Sequence, residues 1–178
     1  LRRQIGYVPQ DVFLFSDTIA NNIAFGLTDN IPDTERKSLI TKAAEDAVIH
    51  QNISSFPKGY ETFIGERGIT LSGGQKQRVS IARAIIKRPK ILLFDDCLSA
   101  VDTHTEEEIL NNLKKIMLGR SSVIISHRVS SVRHADQIIV LDNGRVIERG
   151  DHQTLMDKKG VYSEMYEKQL LEEEESRF

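Results

Sequence analysis

No apolar run in this chain approaches the roughly 18–20 residues that a membrane-crossing helix needs, and no secretory signal pattern is visible. Cysteine is almost absent. Cys97 is the only one among 178 residues, which rules out an internal disulfide and is compatible with a reducing compartment. An excess of one charge is missing too: 24 Lys and Arg stand against 26 Asp and Glu, for a net charge of −2. With a pI near 6.2, there is no electrostatic footing for nucleic acid or for anionic lipid. No residue cluster suggests a metal cage, and there is no internal repeat or low-complexity stretch. What remains is an ordinary globular composition, 39% hydrophobic and 28% charged. Its length supports one sizeable core, or one core with a small lobe.

The hydrophobic pattern changes character at Pro89. Before it, residues 4–9 read as a short strand stopped by Pro9, with Gln10 just beyond. Asp17 is placed to cap a helix over residues 18–25, with Ile19 and Ile23 on one face and Gly26 ending it. Asp33 opens a longer helix carrying Leu39, Ala43 and Ala47. A loop marked by Pro57 and Gly59 leads into the helix that holds Val79, Ala82 and Ile86. After Pro89, residues 91–94, 123–125 and 138–141 are short apolar runs of the kind buried on both faces of a parallel sheet. A helix over residues 103–117 separates the first two; Thr103 with Glu106 has the spacing of a capping box, and Asp102 is a second candidate cap. Asp142-Asn143-Gly144-Arg145 signals a hairpin, and a last helix spans residues 161–174. The pattern is α/β with an inserted helical lobe.

Chemistry concentrates in two places. Leu71-Ser72-Gly73-Gly74-Gln75 precedes a long helical pattern. Glycine lets a backbone approach a phosphate, and the first amides of a helix lack intrahelical partners and sit at the positive end of its dipole. Ser72 can cap this helix or donate to a phosphate oxygen, and an isolated Ser-Gly-Gly turn would be an ordinary cap. Residues 91–94 end in Asp95 and Asp96, two carboxylates at the carboxyl edge of a strand, where ligands of open α/β sheets bind. Alone, they would be solvated acids at a strand end. Likewise, a single Gln10 after a strand or a lone His127 after an apolar run has no functional meaning by itself. Cys97 has no identifiable neighbouring base and reads as a buried, inert thiol.

Taken complete, Leu71-Ser72-Gly73-Gly74-Gln75-Lys76-Gln77-Arg78 resembles the signature motif of ATP-binding cassette (ABC) proteins. The other family motifs follow in order over residues 4–170: Gln10 as the Q-loop glutamine, Asp95 and Asp96 as Walker B, Ser99-Ala100-Val101-Asp102 as the D-loop, and His127 as the switch histidine. Residues 65–68 (Gly65-Glu66-Arg67-Gly68) are similar to the X-loop of exporters, and residues 11–19 and 141–150 are exporter-like as well.

This resemblance implies a P-loop NTPase-type fold, a mostly parallel sheet flanked by helices with an inserted α-helical subdomain. Its divisions would be residues 1–15 (Q-loop strand), 16–88 (helical subdomain), 89–150 (Walker B to terminal hairpin) and 151–178 (C-terminal helices). The implied ligands are ATP and Mg2+. Asp95 and Gln10 would serve the metal, while Asp96, His127 and Gln10 would form the catalytic set. Ser72, Gly73, Gly74, Gln75 and Asp102 would act in trans on an ATP held by a second nucleotide-binding domain. Gln10 and residues 65–68 would meet transmembrane domains, on the cytoplasmic side of a membrane.

Two departures qualify that picture. Asp96 stands where the family usually has glutamate, one methylene longer, which resembles the weakened half of two-chain exporters and favours a heterodimer over a homodimer. No Gly is followed by Lys anywhere, so the P-loop pattern G-x-x-x-x-G-K-[ST] is absent from these 178 residues. The chain, which begins at Leu1 inside a strand-like pattern, is expected to be the C-terminal part of a domain whose P-loop lies upstream. It should be inactive alone and expose a sheet edge. A non-catalytic partner half is the alternative function. A soluble ABC ATPase is less favoured, because the interval from Gln10 to the signature is too short for a long coiled coil.

Overall fold

The computed structural model describes residues 4–27, 31–65 and 70–175. They form two compact units, residues 1–124 and 125–178.

In the first unit, β1 (Ile5–Val8) opens the chain and α1 (Ile19–Ala24) follows it. The cap of α1 is Thr18, whose hydroxyl accepts from the Asn21 amide. Asp17, expected in that place, instead accepts from the Thr18 amide and the Asn21 side chain. Next come α2 (Asp33–Asp46), with Asp33 and Glu35 at its positive end, α3 (His50–Ser54) and a 3-10 turn at Gly59–Glu61. The main helix of the lobe, α4 (Gly73–Ile85), runs back to β2 (Ile91–Asp95).

β2 is central in a three-stranded sheet. It lies parallel to β1 in the register Ile5↔Ile91 to Val8↔Phe94, with β3 (Ser121–Ile125) on its other side. Between β2 and β3 runs α5 (Thr103–Met117), on the bounds its periodicity predicts. Of the two candidate caps, Asp102 is the one used and not the Thr103–Glu106 box: it accepts from the Thr105 amide at 3.0 Å, with the extended backbone a cap requires.

Ile19, Ile23, Ile81, Leu92, Ile109 and Leu113 are fully buried and join lobe, sheet and α5 into one core. α4 rides directly on β1. A Cβ on Gly6 would stand 2.6 Å from the Ala84 carbonyl oxygen and 2.8 Å from the Pro89 ring, so only glycine admits this approach.

The second unit contains α6 (Val129–Val132), β4 (Ile138–Asp142), β5 (Arg145–Gly150), α7 (His152–Lys158) and α8 (Val161–Glu175). Asn143 (φ 48°) and Gly144 (φ 74°) make the predicted tight turn between β4 and β5. The expectation that residues 138–141 lie in a parallel sheet is not met. β4 pairs antiparallel with β5 in a separate two-stranded sheet. Nor are the strands buried on both faces: Ile139, Leu141, Val146 and Ile147 are exposed, while Ile138 packs with Val129, Leu155 and Tyr162. Alternation on a ribbon with one covered face accounts for Ile139 and Leu141, whereas the consecutive Val146 and Ile147 lie beside the register irregularity at Val140–Leu141. Val123 and Ile125 of β3 are exposed too, and as alternate residues they share one face of the strand. The start of α8 is capped from a distance, where Glu148 accepts from the amides of Val161 (2.7 Å) and Tyr162 (3.0 Å).

Candidate functional site

Parallel pairing of β1 with β2 brings Gln10 to the Asp95–Asp96 edge, 86 residues away in sequence. The Gln10 side-chain amide donates to an Asp96 carboxylate oxygen at 3.3 Å, and the Tyr7 hydroxyl donates to Asp95 at the same distance. Both contacts exceed the 2.7–3.0 Å of tight hydrogen bonds, so each acid is steadied and not locked. Desolvation, followed by the Asp95 charge, pushes the Tyr7 phenol above its ordinary value. Asp96 is buried and leaves the strand in the left-handed region, φ 42°, which aspartate tolerates better than most residues. Cys97 follows it into the core, where burial pushes the thiol up to about 12.

The carboxylates and the Gln10 amide are hard oxygen donors. They fit a magnesium ion that keeps waters and phosphate oxygens as its remaining ligands, since such ions bind through one or two carboxylates. Among the described residues, no group of three or more His, Cys, Asp or Glu is arranged to hold a metal.

The signature run forms the first turn of α4 through a complete capping box. The Ser72 hydroxyl accepts from the Gln75 amide at 3.3 Å, and the Gln75 side-chain oxygen accepts from the Ser72 amide at 3.0 Å. Ser72 and Gly73 are exposed, and no acid stands in this first turn, so its positive end is open to an anion. A hydroxyl that accepts from the backbone keeps its own proton to donate. The cap reading and the phosphate reading of Ser72 are therefore compatible.

This first turn touches the D-loop directly. A Cβ on Gly74 would stand 2.7 Å from the Ala100 carbonyl oxygen, and one on Gly73 would meet the Ala100 methyl at 3.4 Å. One turn further along α4, the buried Gln77 accepts from the Ala100 amide at 3.1 Å and donates to the Ser99 hydroxyl at 3.3 Å. Ser99 in turn donates to the Asp96 carbonyl at 2.9 Å. Asp102 caps α5, and hydrogen bonds from Thr105 hold its carboxyl below the usual range. Arg78 reaches the Val48 carbonyl and the Asn52 side chain; burial lowers its pKa, with Asp102 and Glu108 opposing that shift.

Sequence-predicted residues thus gather into two neighbouring groups in the first unit. Gln10, Asp95 and Asp96 form one, and residues 72–75 with the D-loop form the other. His127 belongs to the second unit, exposed in the turn after β3, where the Ser126 hydroxyl accepts from the Arg128 amide. Gly65 takes φ 119° against Ser16, whereas Glu66, Arg67 and Gly68 lie outside the described residues. Sequence reasoning assigned no individual role to Tyr7 or Gln77, and placed Ser99 in the D-loop without its contacts to Gln77 and Asp96. Gln77 stood within the quoted signature run, but its D-loop partners, 22 and 23 residues on, become visible only in three dimensions.

Comparison with known proteins bears on the family and the fold. The family model described as "ABC transporter" matches residues 1–99. Heavy metal tolerance factor 1 of Caenorhabditis elegans is 49% identical over 173 residues, 97% of this chain and 21% of that protein. ATP-binding cassette sub-family B member 6 of Homo sapiens is 47% identical over 176 residues, 99% of this chain and 20% of its own length. The ATP-dependent lipid A-core flippase of Idiomarina loihiensis is 46% identical over 170 residues, covering 96% and 28%. A solved bacterial Atm1-family ABC exporter with ATP bound aligns at a TM-score of 0.86 and 45% identity over 95% of this chain and 29% of its own. The chain therefore spans between a fifth and a third of the length of these relatives. By the family match over more than half its length and the motif order it carries, this chain belongs to the ABC transporter family.

Proposed function

We propose that this chain is the C-terminal part of a nucleotide-binding domain of an ABC exporter, coupling ATP binding and hydrolysis to substrate export. The observation that carries this reading is the exposed, acid-free first turn of α4, with Ser72 able to donate, packed against the D-loop beside the Asp95–Asp96 edge. In this reading, residues 72–75 and Asp102 serve an ATP held mainly by a second nucleotide-binding domain. Asp95 and Gln10 would hold Mg2+ at the chain's own site, where the ion would supply neutralisation of phosphate charge. Asp96 orients and deprotonates the attacking water, a task for which its carboxylate must come within about 2.6–3.2 Å of the proton or act through one water. His127 contacts the terminal phosphate.

The domain divisions are residues 1–15, 16–88, 89–150 and 151–178. Gln10 and residues 65–68 meet transmembrane domains at the cytoplasmic side of the membrane. Among the described residues no helix is long and apolar enough to cross one. Asp96 in place of glutamate also favours a second reading, a weakened half that contributes its signature in trans within a heterodimer and catalyses little itself.

A phosphate-release assay separates the chain from its parent. The complete protein, paired with its partner domain, turns over ATP in a magnesium-dependent manner, whereas the 178-residue chain, which lacks the P-loop pattern, shows none. Magnesium-dependent turnover by the isolated chain would overturn the assignment of the P-loop to sequence outside it.

A further inference from the structure

We propose that Gln77 is a positioning residue that fixes residues 96–100 to α4, so that engagement of a partner's ATP by the first turn of α4 sets where Asp96 stands in this chain's own site. The inference rests on the exporter reading above and goes beyond it by naming an internal link between the two sites.

Three contacts build the link. Gln77 is buried and uses both ends of its amide, accepting from the Ala100 amide at 3.1 Å and donating to Ser99 at 3.3 Å. Ser99 passes the constraint to the Asp96 carbonyl at 2.9 Å. Gly74 adds direct backbone contact with Ala100, close enough that no side chain fits between them.

Asp96 holds a left-handed backbone, φ 42°, and such a residue keeps its conformation only when its surroundings fix it. Gln77 and Ser99 supply that fixing from one side, and Gln10 touches the carboxylate from the other. An α-helix is stiff over one turn, so displacement of Ser72–Gly74 by a phosphate carries Gln77 with it. Ala100, Ser99 and the Asp96 carbonyl then move as a unit. A buried amide with both ends satisfied transmits such a shift, because breaking either bond leaves a polar group without a partner in a low-dielectric setting.

The test uses the complete transporter with both nucleotide-binding domains and photoreactive azido-ATP as the probe. Labelling of this chain's own site is titrated with the partner's site empty and again with it filled, and the ratio of apparent affinities is the coupling factor. The wild type should give a factor of about five or more, the lower end of ordinary intersite coupling. Gln77→Met keeps the volume but loses both hydrogen bonds, and should bring the factor to within about twofold of one.

Ser99→Ala, at an exposed position, should lower the factor partway and add nothing in the Gln77→Met background, the non-additivity expected of one connected chain. If Gln77→Met does not fold, Ser99→Ala alone decides. A wild-type factor near one, or an unchanged factor in a folded Gln77→Met or in Ser99→Ala, overturns the link alone. No labelling of the wild type under any condition refutes the exporter reading, and the link with it.

Discussion

Gln10 and Asp96, 86 residues apart in sequence, meet at 3.3 Å across the carboxyl edge of β1 and β2. The contact joins the residue expected to sense the membrane domains to the one expected to activate water. It also measures how far the shorter acid reaches: Asp96 is buried and its carboxylate already touches an amide. In the proposed site, glutamate would give the water-activating acid one more methylene of reach. Asp96→Glu in the complete transporter should raise the ATPase rate, by up to the roughly 10²–10⁴-fold that a well-placed general base contributes. An unchanged rate in a phosphate-release assay would count against a weakened site.

Ser72 carries two duties that one substitution separates by assay. Its hydroxyl completes the capping box of α4, so Ser72→Ala should cost the isolated chain about 0.5–2 kcal/mol in urea denaturation. The same change removes the donor proposed for a partner's ATP and should weaken ATP-dependent pairing of the two domains. A loss of stability with no loss of pairing would leave Ser72 as a cap only.

The Cys97 thiol is buried and protonated at neutral pH. It should resist iodoacetamide in the native chain at pH 8 and react promptly in urea. Desolvation, reinforced by the charges of Asp96 and Asp95, raises it from 9.0 to about 12. The native state therefore keeps the proton longer than the unfolded chain does. Its contribution to stability is intact below about pH 9 and declines as pH rises toward 12. Cys97→Ala should flatten that alkaline decline in a pH series of thermal melts.

Gly6 lies where α4 presses on β1, and any Cβ there collides with the Ala84 carbonyl. Gly6→Ala should destabilise the chain by about 1–3 kcal/mol, the usual cost of overpacking. A denaturation midpoint equal to the wild type's would show that helix and strand can separate at no cost.

Much of this was legible in the sequence because local signals agreed with the fold. The α5 bounds follow from its periodicity, the turn at Asn143-Gly144 from its chemistry, and the start of α4 from Ser72 and two glycines. Order of motifs along the chain carried the family. The turn at Asn143-Gly144 also implied the antiparallel pairing of Ile138–Leu141 with the strand after it, whereas the apolar run taken alone suggested a buried parallel strand; β5 is the partner the turn called for. The cap of α5 shows a finer limit, since Asp102 and Thr103 both suit that position and the extended backbone at Asp102 selects one. Contacts from Tyr7 to Asp95 and from Gln77 to Ser99 depend on strand register and helix packing, which no local pattern records.

The central claim is that the first turn of α4 serves an ATP held by another subunit. Gly73→Asp tests it most directly, because Gly73 is exposed at the positive end of the helix and a carboxylate there would repel a phosphate. ATPase rate and photolabelling of each chain by azido-ATP are measured together in the complete transporter. The account predicts that turnover falls to background while this chain's own site still takes up label. Unchanged turnover, or loss of label from this chain's own site alone, would contradict it.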